Sequence, residues 1–230
     1  MTTSDPTAEF GLFLRRQFID PETCARIIAE IRSAPTTQAP VYIEGSPERV
    51  HEDVRKATSL HPSNETIAWI HERLLGELPA LSEHFKLKLT DCEQPQFLVY
   101  RAGDFFVRHQ DGNTDQLDFD HLRVRKISIV VFLNDAAGTS AGSKQEFEAG
   151  QEARQKLASG QEFEAEQELG PGTFRGGALL FCREGDAEHQ PLTLPLWGET
   201  GLLVAFASET LHEVTPVTDG ERFTIINFFK

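Results

Sequence analysis

Five short apolar runs follow one another after residue 94, and they constrain the fold more than any other feature of the chain. They are rich in β-branched and aromatic residues, as strands are, and turn residues separate most of them. The runs read PQFLVYRA, KISIVVFLN, GALLFCR, GLLVAFAS and RFTIINFF. Because no long helical pattern separates them, apart from one insertion, we expect the strands to pair antiparallel. Many short strands with turns predict a sandwich or barrel such as a jelly roll.

Two helices are predicted before these strands. Residues 18–34 carry apolar residues at helical spacing, with Asp20 suited to the N-cap and Pro21 to the first helical position. Residues 61–78 repeat the pattern, with Ser63 or Asn64 as the cap. The polar segment between the helices, about 35–60, has no regular pattern. The predicted fold class is therefore mainly β with N-terminal helices (α+β), in which the helices cover a β core.

We expect residues 1–230 to form a single domain, because a chain of 230 residues can bury one large core. The helical buttress would occupy about 1–90 and the β core about 91–230. One insertion, residues 136–175, is rich in Glu, Gln, Ala, Gly and Ser and has too little apolar content for a core segment. We interpret it as a solvated excursion or a mobile lid.

Composition argues against several classes of partner and location. The net charge of −14 would repel a phosphate backbone, and there is no basic stripe, so no nucleic-acid partner is expected. The longest apolar run, residues 127–133, is far shorter than the roughly 20 residues that cross a bilayer, so no membrane partner is expected. The first ten residues lack the pattern of a secretory signal. Cys24, Cys92 and Cys182 are scattered, which favours a reducing, cytoplasmic location over a disulfide framework.

A histidine and an aspartate stand one residue apart in the segment YRAGDFFVRHQDGNTD, residues 100–115. His109 and Asp111 would share one side of a strand, because residues i and i+2 point the same way. His212, in the downstream segment LHEVTPVTDGER and predicted to lie in a short loop, is a candidate third ligand. Two imidazoles and one carboxylate on one face of a metal are typical of non-haem Fe(II) oxygenases. The alternatives are an incidental pair at a strand end and a structural loop histidine.

Arg222 lies on an apolar strand after a turn predicted at Asp219-Gly220. In an antiparallel pair, this strand would return beside the metal with the guanidinium pointing inward. A buried arginine is costly unless an anion meets it, and its planar fork matches a carboxylate. We therefore expect Arg222 to bind the distal carboxylate of a dicarboxylic co-substrate. The alternative is a surface salt bridge with Glu221 or Glu213.

Four segments together resemble a known family. YRAGDFFVRHQD, ISIVVFLND, GGALLF and LHEVTPVTDGERFTIINFF occur in this order and look like the prolyl 4-hydroxylase-like branch of the Fe(II)/2-oxoglutarate-dependent dioxygenases. The resemblance covers about residues 94–230 and implies a double-stranded β-helix (jelly roll) fold. It implies that His109, Asp111 and His212 bind Fe(II), and that Arg222 pairs with the C5 carboxylate of 2-oxoglutarate.

Three further positions concern the co-substrate pocket. Tyr100 stands where such enzymes place a tyrosine. Thr224 shares a strand face with Arg222, so its hydroxyl is expected to hydrogen-bond the same carboxylate. Phe132 departs from the pattern, because some relatives have a second tyrosine at this position.

The resemblance also implies an activity. Dioxygen and 2-oxoglutarate would be consumed, succinate and carbon dioxide released, and an unactivated C–H bond hydroxylated, with ascorbate as a candidate reductant. The resemblance favours a peptidyl proline as the substrate. The alternatives are a free small molecule, such as an amino acid or secondary metabolite, and a non-catalytic jelly-roll module that only binds metal.

The remaining conspicuous residues are expected to be structural. Trp69 is predicted to lie in the core, and the Gly176-Gly177 pair to permit a tight turn or a close strand approach. The other histidines are interpreted as structural or surface residues, with an approach to substrate as the alternative for the one in the acidic loop. They are His51, His61, His71, His84, His121 and His189.

Overall fold

The computed structural model describes residues 6–43, 46–49, 51–112, 120–137, 169–170, 172–185 and 191–230. The helices are α1 (Pro6–Glu9), α2 (Pro21–Arg32), α3 (Asn64–Leu75), α4 (Leu78–Phe85) and α5 (Asp120–Arg123). The first strands are β1 (Phe13–Arg15), β2 (Thr36–Gln38), β3 (Val41–Ile43), β4 (Ser46–Arg49), β5 (Arg55–Lys56), β6 (Thr58–Leu60), β7 (Gln96–Arg101) and β8 (Phe105–His109). The others are β9 (Ile127–Phe132), β10 (Phe174–Gly176), β11 (Leu179–Arg183), β12 (Leu192–Leu196), β13 (Leu203–Ala207), β14 (His212–Val214) and β15 (Val217–Phe229). Within the described ranges, no helix is long and apolar enough to cross a bilayer.

Two antiparallel sheets form the body of the protein. The larger sheet has the strand order β1-β13-β9-β15-β7-β6-β2, and β10 also pairs with β15. The smaller sheet has the order β12-β11-β14-β8-β5, and β3 and β4 form a separate hairpin. Apart from the consecutive pairs β6–β7 and β11–β12, neighbouring strands in these two sheets are not consecutive in sequence, as expected where a chain crosses repeatedly between two facing sheets. The predicted jelly roll with N-terminal helices is confirmed.

Strand β15 shows how the larger sheet separates two interiors. Phe223, Ile225 and Phe229 point to the helices and share a core with them, as the period of two along a strand requires. The helices contribute Ile27, Ile31, Ile70, Leu74 and Leu81 to this core. The alternate residues of β15, among them Arg222 and Thr224, point instead towards the smaller sheet.

The two sequence-predicted helices are present, shortened at their ends. The Thr23 backbone N–H donates to the Asp20 carboxylate (2.9 Å), and Pro21 occupies the first turn of α2. Ser63, rather than Asn64, caps α3, because its hydroxyl accepts from the Thr66 backbone N–H.

The prediction that residues 35–60 are irregular is wrong. β2 and β6 extend the larger sheet and β5 extends the smaller one. β2 and β5 are edge strands, and all three residues of β2 are exposed. The alternating apolar pattern that identifies a half-buried strand is therefore missing from this segment.

The C-terminal segment differs from the prediction in two ways. His212 opens strand β14 and is not in a loop, and β15 continues through Asp219-Gly220 without a turn. Gly220 has φ +76°, and a Cβ atom there would lie 2.6 Å from the carbonyl oxygen of Thr173. Glycine is thus needed because the segment entering β10 passes close to this strand.

The insertion is shorter than predicted at its C-terminal end. Phe174 is fully buried and β10 pairs with β15, so these residues belong to the core. Residues 138–168 and 171 lie outside the described residues, and the interpretation as an excursion or lid stays a prediction.

The prediction that Trp69 lies in the core is wrong. Its side chain is 38% exposed, and the Arg73 guanidinium lies 5.1 Å from its ring centroid. The buried stripe of α3 instead contains Ile70 and Leu74.

Leucine truncation tests the contribution of the helix–sheet core. Leu74→Ala, at a side chain with no exposed area, should lower the free energy of unfolding by about 2–5 kcal/mol, because a cavity is left under the sheet. Urea unfolding measures this change. The matched control is Leu87→Ala, at a 39% exposed side chain, which should change it by less than about 0.5 kcal/mol. Equal effects of the two variants would contradict the assignment of Leu74 to the core.

Candidate metal centre

The three predicted ligands lie together between the sheets. His109 ends β8, Asp111 follows two residues later, and His212 begins β14. β8 and β14 are neighbours, with His109 directly opposite His212. One ligand atom of each residue lies within 4.8 Å of the others. The Asp111 carboxylate oxygens are 3.3 Å from His109 Nε2 and 3.4 Å from His212 Nε2.

A β-bulge aims His109 into this cluster. His212 pairs with His109 but Val214 pairs with Phe106, so two steps along β14 match three along β8. The extra residue brings Phe106 and His109 onto the same inner face, although three positions apart they would otherwise face opposite sides. Their rings stack with centroids 3.6 Å apart and an interplanar angle of 19°.

Backbone carbonyls orient both imidazoles. His109 Nδ1 donates to the Val107 carbonyl oxygen and His212 Nδ1 to the Thr210 carbonyl oxygen, each at 2.8 Å. A carbonyl can only accept, so the proton of the neutral ring is on Nδ1. The Nε2 lone pairs are therefore free to bind a metal beside Asp111, as is typical of metal-binding histidines.

The protonation states of the cluster also suit a cation. Burial alone would raise the pKa of Asp111, but the neighbouring His212 and His109 imidazoles and a hydrogen bond from the Ser128 hydroxyl hold it below its usual range. Burial and the neighbouring His109 lower the pKa of His212 to about 4, against the opposing effects of Asp111 and the Thr210 carbonyl. A carboxylate and a neutral imidazole are the forms that bind metal.

Arg222 is buried in the same cavity without a counter-ion. Its side chain is 1% exposed, and no carboxylate pairs with it within the part of the chain that the structure describes. Its Nη1 donates to the Thr224 hydroxyl at 3.4 Å, and its Nε has no hydrogen-bond partner. The guanidinium lies 5.2 Å from the Tyr100 ring centroid and 4.9 Å from that of Phe132. Burial lowers its pKa to about 10, so the side chain is still a cation at neutral pH.

The position of Arg222 corrects one prediction and rejects one alternative. β15 is not paired with β14, because the two strands belong to opposite sheets, so Arg222 approaches the cluster across the sandwich. Glu221 pairs with Arg32 and Arg101 on the surface, which excludes it as the partner of Arg222. Glu213 pairs with Arg108.

One cavity connects these groups. It is lined by the three candidate ligands and Arg222, with Tyr100 and Thr224 beside the guanidinium. The remaining wall is mostly apolar and includes Val130, Leu179, Ile226 and Phe228. An anion bound to Arg222 would therefore be shielded from bulk water. The cavity would connect it to the three candidate ligands.

Comparison with known families identifies the superfamily to which the chain belongs. The family model described as the 2OG-Fe(II) oxygenase superfamily matches residues 95–230. The chain belongs to this superfamily. It is a dioxygenase that uses Fe(II) and 2-oxoglutarate, and dioxygen and 2-oxoglutarate are its co-substrates. No curated protein matches the chain.

Solved structures share the fold of this oxygenase at low sequence identity. A Pseudomonas putida prolyl-4-hydroxylase is 20% identical, with a TM-score of 0.57 over 98% of this chain and 95% of that one. A Trichoplax adhaerens prolyl hydroxylase, solved with a hypoxia inducible factor peptide fragment, is 13% identical, with a TM-score of 0.58 over 97% and 84%. An α-ketoglutarate-dependent epimerase of nogalamycin biosynthesis is 12% identical, with a TM-score of 0.52 over 98% and 79%.

Two buried serines that sequence reasoning missed hold Asp111 in the oxygenase. The Asp111 and Gly112 backbone N–H groups both donate to the Ser208 carbonyl oxygen, at 2.9 and 3.2 Å. The Ser208 hydroxyl is 3.0 Å from that of Ser128, which also hydrogen-bonds the Asp111 carboxylate. The available signal was Ser128 itself, a lone polar residue in the apolar run at 127–133.

The ion pair between Arg125 and Glu93 also supports the segment that contains Asp111. Arg125 donates from Nε and Nη2 to the two carboxylate oxygens of Glu93, at 2.8 and 2.7 Å. Its Nη1 also reaches the Asp111 carbonyl oxygen at 3.5 Å, and its guanidinium lies 3.6 Å from the Phe228 ring centroid. A Cβ atom at Gly112 would lie 2.7 Å from Arg125 Cβ, so only glycine fits there.

The Gly176-Gly177 pair permits a close strand approach, as predicted. A Cβ atom at Gly176 would lie 2.3 Å from the Pro216 carbonyl oxygen. At Gly177 it would lie 2.9 Å from Arg222 Cδ. The absence of a side chain at Gly177 therefore makes room for the buried arginine.

The other histidines stay outside the cluster within the described residues. His61 lies 2.9 Å from the Thr37 hydroxyl, and His84 lies 3.1 Å from the Gly11 carbonyl oxygen. These contacts fit the predicted structural role. His189 and the side chain of His121 lie outside the described residues.

Removing one donor should weaken metal binding by the oxygenase. His212→Ala deletes an Nε2 atom that the fold holds beside Asp111, so Co(II) affinity should fall by at least the roughly 10–100-fold that loss of a supporting partner costs at metal sites. Anaerobic Co(II) titration, followed by the visible absorption of the bound ion, measures it. His71→Ala is the matched control, because His71 lies 3.4 Å from the Cys92 carbonyl oxygen and away from the cluster. Equal affinities in the two variants would contradict the assignment.

Proposed function

We propose that His109, Asp111 and His212 hold the Fe(II) of this oxygenase and that Arg222 binds the C5 carboxylate of 2-oxoglutarate. Two imidazole nitrogens and one carboxylate oxygen are the donor set expected of non-haem Fe(II) sites with open positions. The observation that carries the proposal is the buried, unpaired Arg222 in the cavity that contains this donor set.

Thr224 and Tyr100 complete the proposed co-substrate pocket. The Thr224 hydroxyl already lies at hydrogen-bond distance from Arg222 Nη1 and has a proton to donate to a carboxylate. The ring of Tyr100 flanks the guanidinium, and Tyr100 stands directly opposite Arg222 in the pairing of β7 with β15. The ring of Phe132 also lies near the guanidinium, and this position has no hydroxyl to offer the carboxylate.

The protein's own part in the reaction is positional. Bound Fe(II) supplies the activation of dioxygen that couples decarboxylation of 2-oxoglutarate to substrate oxidation. Arg222 and Thr224 fix one end of the keto acid, and the apolar wall of the cavity excludes water. The resulting reaction is the hydroxylation of an unactivated C–H bond, with ascorbate as the reductant that keeps the iron ferrous.

The proposed substrate is a peptidyl proline. The sequence resembles the prolyl 4-hydroxylase-like branch, and two structures that share the fold are prolyl hydroxylases, one of them with a bound peptide. The second candidate is a free small molecule, favoured by the fold shared with an enzyme of nogalamycin biosynthesis. Substrate-contacting loops vary within one fold, so the fold is compatible with both.

The single-domain interpretation of residues 1–230 is also a proposal. It is supported by the shared core, in which Ile31 and Leu74 of the helices pack with Val99 and Ile225 of the larger sheet. A buried core continuous between helices and strands favours one cooperative unit.

We propose a reducing, cytoplasmic location for the protein. Cys24, Cys92 and Cys182 are all buried, and none of them forms a disulfide. Burial raises the pKa of Cys24 and of Cys92 to about 12, which keeps both thiols protonated. Free thiols in place of disulfides are typical of reducing compartments.

The reaction is tested by product analysis. With Fe(II), 2-oxoglutarate and ascorbate, the wild-type protein should release succinate, and mass spectrometry should detect one added oxygen atom on a proline-containing peptide. A panel of free amino acids and metabolites tests the second candidate in parallel. His109→Ala should lose both signals because it removes a proposed iron ligand. Succinate release that persists in this variant would contradict the ligand assignment.

The role of Arg222 is tested without removing it. Gly177→Ala places a methyl group 2.9 Å from Arg222 Cδ and 2.8 Å from Val217 Cγ2. Both side chains must shift, and because the arginine is displaced the apparent Kd for 2-oxoglutarate should rise about 10-fold or more. Anaerobic titration of the Fe(II)-loaded protein, followed by the visible band that 2-oxoglutarate binding produces, measures it.

Gly172→Ala is the matched control for this titration. Both glycines have positive φ, +79° at Gly172 and +62° at Gly177, so both variants carry backbone strain. Nothing lies within 4 Å of a Cβ atom at Gly172. Its affinity for 2-oxoglutarate should therefore stay near that of the wild type, and an equal loss in both variants would count against Arg222 as the carboxylate site.

A further inference from the structure

A second buried guanidinium lines the cavity that contains the proposed iron ligands. Arg55 lies on β5, directly opposite Phe106 of β8, and its side chain is 7% exposed. Its guanidinium lies 4.7 Å from the Phe106 ring centroid, and that ring stacks on His109. One aromatic ring thus separates the Arg55 cation from a proposed iron ligand.

Arg55 lacks the counter-ion that its neighbours have. Its Nη1 donates to the Pro40 carbonyl oxygen at 3.2 Å, its Nε has no hydrogen-bond partner, and within the described ranges no carboxylate pairs with it. The adjacent Lys56 pairs with Asp104, and Arg108 on β8 pairs with Glu213. In a chain of net charge −14, a buried cation left without an anion is costly.

Arg55 and Arg222 approach the cavity from different sheets. Arg222 belongs to the larger sheet and Arg55 to the smaller one. The proposed function accounts for one carboxylate of 2-oxoglutarate at Arg222 and for the other end of the molecule at the iron. No part of the co-substrate remains for Arg55, and the side chains that the structure describes offer it no carboxylate, so another ligand is left as the source of its anion.

We propose that Arg55 binds a carboxylate of the substrate that is hydroxylated, and this inference rests on the proposed function. The planar fork of arginine matches a carboxylate in two parallel hydrogen bonds. One cation balances one carboxylate, whereas a phosphate ester carries nearly two negative charges. The oxygenase therefore selects a carboxylate-bearing substrate.

Two sources of this carboxylate fit the two candidate substrates. In a peptide, it is the side chain of an acidic residue next to the proline. In a free amino acid, it is the α-carboxylate of proline. Both sources present the same carboxylate to Arg55. They are distinguished by comparing each charged substrate with its neutral analogue.

The test compares substrates that differ only in this charge. The pairs are peptides with Pro-Asp against Pro-Asn, peptides with Asp-Pro against Asn-Pro, and free L-proline against L-prolinamide. Hydroxylated product is measured for each, and the wild-type enzyme should prefer the charged member of at least one pair by about 10-fold in kcat/KM. The pair that shows the preference identifies the source.

Three variants assign the preference to Arg55. Arg55→Gln, which keeps donors but removes the charge, should abolish the discrimination, and Arg55→Lys should retain part of it. Arg108→Gln is the matched control, because Arg108 is paired with Glu213 on the outer side of β8, and it should discriminate as the wild type does. The apparent affinity for 2-oxoglutarate should stay within about 2-fold in Arg55→Gln, which a general disturbance of the cavity would not allow.

A failure of this inference can be distinguished from a failure of the proposed function. A wild-type enzyme that releases succinate but shows no preference in any pair overturns the inference alone, as does an Arg55→Gln variant that keeps the preference. Weaker 2-oxoglutarate binding in Arg55→Gln, as large as in Arg222→Gln, would assign Arg55 to the co-substrate and also overturn it. A wild-type enzyme that releases no succinate overturns the proposed function and this inference with it.

Discussion

Among the residues that the structure describes, none supplies a counter-ion to the Arg222 guanidinium, which lies between the two sheets of this oxygenase and shares a cavity with the proposed ligands. Arg222 is surrounded by a hydroxyl and two aromatic rings, none of which neutralises it. Such a group destabilises the empty protein, because the attraction that would offset its desolvation is missing. The same group gives a dicarboxylic ligand a strong reason to bind, because the ligand supplies that attraction inside an apolar cavity. The unpaired charge therefore lowers the stability of the ligand-free protein and raises its affinity for the co-substrate.

The larger sheet makes this arrangement possible by separating two interiors. On one face, apolar side chains pack against the helices in a continuous core. On the other face, polar groups such as Ser128, Arg222 and Thr224 meet the smaller sheet, between two further apolar clusters. The helix-side core contains none of the proposed metal ligands or 2-oxoglutarate contacts, so it stabilises the fold without taking part in the chemistry. The proposed ligands and the buried Arg222 lie on this second face, which agrees with the general tendency of functional sites to be less stable than their surroundings.

Much of the fold and of the candidate site could be predicted because the informative residues are local in sequence. The central strands are buried on both faces, so they appear as continuous apolar runs, and His109, Asp111 and His212 lie in recognisable segments. Edge strands such as β2 could not be predicted, because exposed strands need no apolar pattern. The role of Arg55 was also hidden, since its significance depends on Phe106, which is fifty-one positions away in the chain and opposite to it in the sheet. The exposure of Trp69 was missed because helical spacing alone does not show which side of a wide apolar stripe is covered.

The bulge in β8 also limits which mutations the protein can accept during evolution. Because an additional residue between Phe106 and His109 turns the histidine inward, the number of residues in this segment matters as much as their identity. Loss of one codon there would restore regular alternation and move the imidazole relative to Asp111, whereas substitution of the outward-facing Val107 would leave the register intact. Point substitutions at outward-facing positions of this strand are therefore compatible with the proposed iron site, whereas single-residue deletions in the strand are not.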